Sequence, residues 1–213
     1  MLKKYLFLML LVPFMLNAQR HSAGFKMGIF DPSATEPGFI IGYEGTRAID
    51  NRFDIGWSID WFNKNYVDKD LVEEFNNAFG LPQGTINELR AKTNIHDIPV
   101  MATATAWLYE RDKVSIYVTA GAGAEVLLIF YRNFQNPDDD EFKGAFDFSW
   151  RLGAGVTYRL GDRSEIFGEL AYHSSEPNWT YEVYDEINQV NRTFERVFDM
   201  SGVMARLGFR FYY

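Results

Sequence analysis

Between Phe146 and Leu160, every second residue of the chain is apolar or aromatic, and the intervening residues are charged, small or glycine. Because side chains alternate between the two faces of a strand, this segment reads as one β-strand with an apolar face and a polar face. A typical globular strand has only about 5–6 residues. A tilted strand that crosses a bilayer needs roughly 9–11 residues. The alternation therefore predicts a membrane-spanning strand.

The same alternation recurs along the rest of the chain. Arg47 falls on the apolar face of its segment, where we expect a β-bulge, and Pro99 removes one ladder donor near the start of another segment. The eight predicted strands are 23–30, 38–49, 52–64, 95–109, 114–130, 146–160, 164–173 and 197–213.

The connections between these segments alternate in length. Three are tight turns, at 50–51, 110–113 and 161–163, and four are longer, at 31–37, 65–94, 131–145 and 174–196. Short turns at one end and long loops at the other are typical of outer-membrane barrels, in which the turns are periplasmic. We therefore predict an all-β fold: an eight-stranded antiparallel up-and-down transmembrane β-barrel with short periplasmic turns and long extracellular loops.

The N-terminus has the layout of a secretory signal peptide. Lys3 and Lys4 precede an apolar core over 5–16, and Ala18 provides a small residue for cleavage. The apolar core is too short for a membrane-spanning helix. We predict a signal peptide over 1–18 and a barrel domain over 19–213. The absence of cysteine suits an exported chain of the Gram-negative envelope that has no disulfide framework.

Alternation alone does not decide which face meets lipid, because a secreted lipocalin-like ligand-binding barrel shows the same periodicity with its apolar face inward. Two features favour the membrane. Glycines recur on the polar face, which suits a narrow interior, and aromatic residues recur near the segment ends of the apolar face, as membrane girdles require. These aromatic residues are Tyr43, Trp57, Trp61, Trp150, Tyr158 and Tyr213.

Two local patterns carry a family resemblance. The chain ends with Leu207, Phe209, Phe211 and Tyr213 on one face, and Ser149 to Asp162 reads as a strand followed by a tight turn. In both, the sequence resembles small outer-membrane β-barrel proteins of the OmpA/OmpX type, in the variety common in Bacteroidota. The resemblance implies that the four terminal residues form the insertion signal for the barrel-assembly machinery. It also implies contact with outer-membrane lipid and lipopolysaccharide.

The polar face carries nearly balanced charges. Charges removed from water must pair or keep water, since desolvation costs several kcal/mol per ion. We predict that they fill the lumen as a charge network, with a narrow ion or solute channel as the alternative. The expected network comprises Glu165, Glu169, Arg206, Arg210, Arg151, Asp147 and Glu125. Further inward charges are expected at Lys26, Glu44, Arg52, Asp54, Asp60, Lys64, Asp97 and Arg159.

One short motif suggests catalysis. His173 and Ser175 at a strand end resemble the catalytic pair of lipid A deacylases, which are small barrels with a lipid-facing His and Ser. The register instead points both side chains inward, and Glu176 stands where that family has Asn. We therefore expect no enzyme activity, catalytic residue, metal or cofactor, and keep a lipid A deacylase-like hydrolase as an alternative.

The long loops are the candidate surface for partners. Residues 70–79 show helical spacing, 174–196 alternates as a hairpin that continues strands seven and eight beyond the membrane, and 138–141 is acidic without calcium-loop spacing. We expect a structural or surface-interaction role, with an extracellular protein partner bound through 65–94 and 174–196. The net charge of −8 and the lack of a basic cluster argue against nucleic acid.

Overall fold

The structure is a computed structural model that describes residues 20–67, 92–132, 140–185 and 190–213. The predicted signal peptide, the helical spacing over 70–79 and the acidic residues 138–139 lie outside the described residues. Within the described ranges the chain forms ten strands and no helix that is long and apolar enough to cross a membrane. The strands are β1 His21–Pro32, β2 Gly38–Ala48, β3 Phe53–Val67, β4 Lys92–Arg111, β5 Val114–Arg132, β6 Asp140–Gly161, β7 Ser164–Ser174, β8 Asn178–Asp185, β9 Val190–Val197 and β10 Gly202–Tyr212.

Eight of these strands close into a barrel. Their order around the barrel is β1-β10-β7-β6-β5-β4-β3-β2, and every neighbouring pair is antiparallel. β1 pairs with β10 from Ser22 opposite Tyr212 to Pro32 opposite Gly202, so the sheet has no free edge. The predicted eight-stranded antiparallel barrel is confirmed.

The wall of the barrel is taller along β3 to β6 than the alternation predicts. β4 begins at Lys92 rather than at 95, and β6 begins at Asp140 rather than at 146. The predicted boundaries were wrong here because polar residues such as Asn94 occupy outward positions at this end, which interrupts the apolar pattern without ending the ladder. The loops at this end are correspondingly shorter than predicted.

The predicted hairpin within 174–196 is confirmed, but it is not a continuation of the barrel strands. β8 and β9 form a separate two-stranded sheet, from Asn178 opposite Val197 to Asp185 opposite Val190. The last barrel strand starts at Gly202 instead of at 197. The intervening residues leave the ladder because Phe198 and Met200 turn inward and are buried.

The bulge that we expect at Arg47 is absent from the described ladder. The pairing of β2 with β3 continues without a break from Phe39 to Ala48, so Arg47 stays on the outer face near the tight turns. The register shifts occur instead between Trp107 and Tyr109 on β4, and between Arg159 and Gly161 on β6.

The outer surface of the barrel is apolar and the interior is charged. Phe146, Leu152 and Leu170 are more than half exposed, whereas Asp60 and Glu125 are buried inside. A soluble protein does not present an apolar surface of this extent to water. The lipocalin-like alternative is therefore wrong, because the apolar face points outward. The six predicted girdle residues are all exposed on this surface: Tyr43, Trp57, Trp61, Trp150, Tyr158 and Tyr213.

Glycines on the inner face make room for large side chains that point inward from neighbouring strands. A Cβ on Gly155 would overlap the Tyr117 ring, and a Cβ on Gly208 would overlap the Phe167 ring. Both rings are almost completely buried. These glycines therefore let aromatic rings lie flat across the inside of the wall. The sequence pattern explains the glycines only by the narrowness of the lumen.

We predict that Gly155→Ala lowers the free energy of unfolding by about 1–3 kcal/mol, because the added methyl group overpacks the Tyr117 contact. Gly144→Ala on the same strand is the matched control. Its Cβ would meet nothing nearer than 3.9 Å, so we expect no loss of stability. Urea titration of the folded protein in vesicles, scored by gel mobility of unboiled samples, measures both. Equal stability of the two variants would contradict the packing argument.

Candidate functional site: a charged lumen beneath an apolar cover

Asp60 on β3 is the centre of an ion network inside the barrel. Its Oδ2 accepts a hydrogen bond from Arg151 Nη1 at 2.7 Å, and its Oδ1 accepts one from Arg206 Nη1 at 3.0 Å. Lys26 Nζ lies 3.8 Å from the same Oδ1. Three cations from β6, β10 and β1 thus converge on one fully buried carboxylate. Because β6 and β10 are each three strands away from β3 around the barrel, Arg151 and Arg206 cross the lumen to reach Asp60.

The network continues from Asp60 toward the tight turns. Lys26 Nζ donates to Glu44 Oε2 at 3.1 Å, and Arg210 Nη2 donates to the other oxygen of Glu44 at 2.7 Å. Arg210 Nη1 also donates to Glu165 at 2.7 Å, and Arg206 pairs with Glu169. We call the following eight residues the lumen ion network: Lys26, Glu44, Asp60, Arg151, Glu165, Glu169, Arg206 and Arg210.

The lumen ion network contains four bases and four acids, so it is neutral when every group is ionised. All eight residues are buried. Burial makes an unpaired charge costly, and alternating contacts remove that cost by giving each ion an opposite neighbour. The interior therefore holds its charges in mutual contact and leaves little open space. A cavity of about 20 Å³ between these residues has room for about one water molecule.

An aromatic collar surrounds Arg210 on the side of the tight turns. Its guanidinium lies 4.8 Å from the centre of the Phe167 ring and 5.9 Å from the rings of Tyr117 and Trp107. Tyr117 donates its hydroxyl to Glu169 at 3.1 Å, and Trp107 Nε1 donates to Asp54 at 3.0 Å. Cation–π contacts of this kind strengthen when the cation is removed from water. The collar thus packs around the end of the lumen ion network that lies nearest the tight turns.

Of the seven residues that the sequence analysis places in the lumen network, five belong to it. Glu169 lies opposite Arg206 and Glu165 opposite Arg210 in the β7–β10 ladder, as their hairpin relationship suggests. Arg151 reaches across the barrel to Asp60. Glu125 and Asp147 also lie within the barrel, but they make other contacts.

Glu125 and Asp147 support a layer above the network, toward the long loops. Glu125 Oε2 lies 2.6 Å from His173 Nε2, and both side chains are fully buried. Asp147 accepts a hydrogen bond from the backbone N–H of Glu176 at 2.8 Å and one from the Ser175 hydroxyl at 3.4 Å. Asp147 therefore holds the turn after β7 rather than a cation.

Three bases expected inside the barrel lie at its ends instead. Arg159 pairs with Glu110 at 2.9 Å where the lumen opens at the tight-turn end, and both side chains are partly exposed there. Lys64 Nζ donates to the backbone oxygen of Pro37 at 2.9 Å, near the other rim. Arg52 lies in the exposed turn before β3. Alternation along the strands does not show that these three residues lie where the barrel ends.

An apolar cover closes the barrel above the His173 layer. The alternation predicts only charges and glycines inside the barrel, and at this end that prediction is wrong. The signal that could have shown it is a loss of alternation, because runs such as 39–41 and 127–130 are apolar at every position. The cover comprises Phe30, Ile40, Phe62, Ile95, Leu127, Ile129, Ala145, Ala171, Phe198, Met200 and Met204.

The segment that leads into β10 lies across the mouth as part of this cover. Phe198 N–H donates to Pro177 O at 2.9 Å, and Met200 N–H donates to Ser175 O at 2.9 Å. Ala34 N–H donates to Asp199 O at 2.8 Å from the opposite side. Backbone hydrogen bonds from both sides therefore hold this segment over the lumen.

His173 and Ser175 do not form a catalytic pair in the described structure. His173 bonds Glu125 and packs edge-on against Phe30, with ring centres 5.8 Å apart, while Ser175 bonds Asp147. Both point into the barrel rather than toward lipid. Within the described ranges, no group of three or more His, Cys, Asp or Glu side chains is arranged to hold a metal ion. The side chains of the acidic loop 138–141 lie outside the described part of the chain.

Comparison with known proteins identifies the fold. No family model matches the chain, and no curated protein matches its sequence. The outer membrane protein OprG from Pseudomonas aeruginosa is similar in structure, with a TM-score of 0.61 and 12% identity over 92% of this chain and 96% of that chain. A major outer membrane protein from Thermus thermophilus gives 0.65 and 12% over 92% and 100%. Neisserial surface protein A gives 0.53 and 12% over 92% and 98%. The chain therefore has the eight-stranded barrel fold of small outer-membrane proteins.

We predict that Arg206→Leu lowers the free energy of unfolding by about 3–5 kcal/mol, because it leaves Asp60 and Glu169 short of a buried partner. Arg159→Leu is the matched control, since it removes the same charge from an exposed pair that contributes about 0–1 kcal/mol. Urea midpoints in vesicles measure both. Adding Glu169→Gln to Arg206→Leu should restore part of the loss. A small effect of Arg206→Leu would contradict the inferred role of the network.

Proposed function

We propose that this chain is an integral outer-membrane β-barrel protein, without enzyme activity, whose lumen is closed and whose role is structural or interactive at the cell surface. The observation that carries the proposal is the combination of a filled interior with a hairpin, β8–β9, that stands apart from the barrel sheet. The outward apolar surface and the shared barrel fold support the membrane location. Because the sequence resembles the variety common in Bacteroidota, we also propose that the protein comes from a bacterium of that group.

The orientation follows from the connections. Both ends of the barrel chain, at His21 and Tyr212, lie at the end with the tight turns. In outer-membrane barrels that end is periplasmic. The hairpin and the apolar cover then lie on the extracellular side. The exposed outward face of Leu207, Phe209, Phe211 and Tyr213 is compatible with the predicted insertion signal for the barrel-assembly machinery.

Two layers in series argue against the channel alternative. The apolar cover excludes water at the extracellular mouth, and below it the ion network fills the lumen from wall to wall. An ion would need both layers to open. A vestibule of about 1120 Å³ opens at the periplasmic end, with Asp54, Trp107 and Glu165 among its lining residues. An open periplasmic end alone does not create a path across the membrane.

The hairpin supports a surface-interaction role. Its two strands pair only with each other in the described sheet order, so each presents one backbone edge. An exposed edge is a template for an added strand, and this is a common way to bind an extended polypeptide. The partner class that we propose is therefore an extracellular polypeptide segment. The contribution of 65–94 remains a prediction, since 68–91 lie outside the described residues.

We predict that the purified wild-type protein gives no stepwise conductance in planar bilayers, because the two layers close the lumen. A variant with Arg151→Ala and Arg206→Ala removes two of the cations that cross the lumen but leaves the apolar cover unchanged, so it should also stay without conductance where it still inserts. Protein-free bilayers are the blank. Regular current steps from the wild type, rising with the amount of inserted protein, would reject the closed lumen.

We predict that the hairpin can be removed without loss of the barrel. Pro177 and Phe198 are already joined by a backbone hydrogen bond at 2.9 Å, so a short turn can replace 178–197. Heat-modifiable gel mobility in outer-membrane fractions should be retained. A second experiment uses the full-length chain on intact cells, where a photo-reactive side chain at Thr180 should cross-link to an extracellular polypeptide. The same group at Asp112, in a tight turn, is the control and should not. Failure of the shortened chain to assemble would mean that the hairpin is structural.

A further inference from the structure

Two acidic side chains meet inside the barrel directly beneath the apolar cover. Asp97 on β4 and Glu125 on β5 point inward at diagonal positions, because Glu125 is opposite Pro99 in the β4–β5 ladder. Both residues are completely buried, and their carboxyl groups lie within hydrogen-bonding reach of each other. We call Asp97 and Glu125 the carboxyl pair. Neither residue belongs to the lumen ion network, whose charges balance without them.

Asp97 lies among apolar neighbours. In the ladders on its two sides it is opposite Phe62 on β3 and Leu127 on β5, and both of these residues belong to the apolar cover. Among the described contacts, no donor reaches either oxygen of Asp97. A carboxylate that is removed from water without a donor or a cation is strongly disfavoured. The surroundings of Asp97 therefore suit a neutral carboxyl group.

His173 determines which acid of the pair is the acceptor. Its Nε2 lies 2.6 Å from Glu125 Oε2. Its Nδ1 has no hydrogen-bond partner within the described structure. A charged imidazolium would bury an unpaired N–H at that atom, so the neutral ring that donates from Nε2 fits the geometry. Glu125 is therefore a carboxylate that accepts a hydrogen bond, and His173 brings no positive charge to the carboxyl pair.

The other charged groups around the carboxyl pair do not neutralise it. Arg151 on β6 donates from Nη1 to Asp60, and its Nε and Nη2 make no hydrogen bond in the described part of the chain. Asp60 on β3 and Asp147 on β6 contribute only negative charge to the surroundings. Two ionised carboxylates side by side would repel each other here. The residues that β1, β2 and β10 contribute to the cover above the pair are apolar: Phe30, Ile40 and Met204.

We propose that the carboxyl pair is a buried proton-binding site, in which Asp97 is a neutral carboxylic acid that donates a hydrogen bond to Glu125. One proton then satisfies an oxygen of each acid. Glu125 accepts from His173 through Oε2 and from Asp97 through Oε1, which otherwise has no partner in the described structure. Two carboxyl groups at this separation hold one proton between them because they cannot both ionise.

The site links folding of the barrel to pH. In the unfolded chain Asp97 meets water and loses its proton above about pH 4. The folded barrel keeps that proton between the apolar cover and the lumen ion network, so unfolding at higher pH releases it. Because the folded state binds more protons than the unfolded state, this site stabilises the barrel most at low pH and less as pH rises. The inference goes beyond the proposed surface role and does not depend on the hairpin.

Infrared spectroscopy of the full chain, folded in vesicles at neutral pH, tests the protonation directly. The C=O stretch of a neutral carboxyl group is separate from the bands of carboxylates. We expect this band in the wild type, and isotope labelling of aspartate carboxyl groups should shift it, whereas labelling of glutamate should not. Asp97→Asn should lose the band. Asp147→Asn is the matched control and should keep it, because Asp147 is an inward carboxylate that accepts a backbone N–H from Glu176.

Urea titration over a pH series is the second measurement. Asp97→Asn keeps a donor toward Glu125, so it should assemble and show heat-modifiable mobility. Between about pH 5 and pH 8, the unfolding equilibrium constant of the wild type should rise by up to about tenfold per pH unit relative to Asp97→Asn, since one proton is released. Asp147→Asn should follow the wild type.

Three results would overturn the proposal: no neutral-carboxyl band in the wild type, a band that shifts with labelled glutamate, or the same pH dependence in the wild type and Asp97→Asn. The isotope labels test the wild type itself, so the proposal stays falsifiable if a variant does not assemble. Conductance and surface cross-linking do not depend on this proton, so failure here is distinguishable from failure of the proposed function.

Discussion

Closure of the ladder is the constraint on which the rest of this structure depends. A strand that crosses a bilayer must satisfy its backbone groups without water, and only a closed sheet does so for every strand. Eight strands close around an interior just wide enough for side chains. Each residue that points inward therefore competes for space, which explains the glycines opposite Tyr117 and Phe167. It also explains why the inward charges contact one another instead of a water column.

The strands, their faces and their nearest pairings could be predicted because these features depend on local order. Alternation identifies the outward residues, and the hairpin relationship of the predicted seventh and eighth strands already suggests that Glu165 and Glu169 face Arg206 and Arg210. The role of Asp60 could not be found in this way. Its partners Arg151 and Arg206 lie 91 and 146 residues away, and they meet it only because the barrel is narrow.

The apolar cover was missed for a different reason. Alternation predicts a polar interior only while the two faces differ in polarity, and near the long loops both faces are apolar. Ile40 and Leu127 point inward there between outward neighbours that are apolar as well. The segment of Phe198 and Met200 adds side chains that no strand pattern can place, since the residues leave the ladder before they turn inward. Their placement depends on backbone hydrogen bonds to Pro177 and Ser175.

These layers leave the groups available for binding on the outside of the barrel. Within the described interior, the bases of the lumen ion network are engaged by its carboxylates, and the cover separates that network from the extracellular face. The wall formed by β3 to β6 is the taller one, since these strands extend past the predicted strand ends. That added height lies at the same end of the barrel as the β8–β9 hairpin, so a partner that binds there meets the outer wall as well as the hairpin.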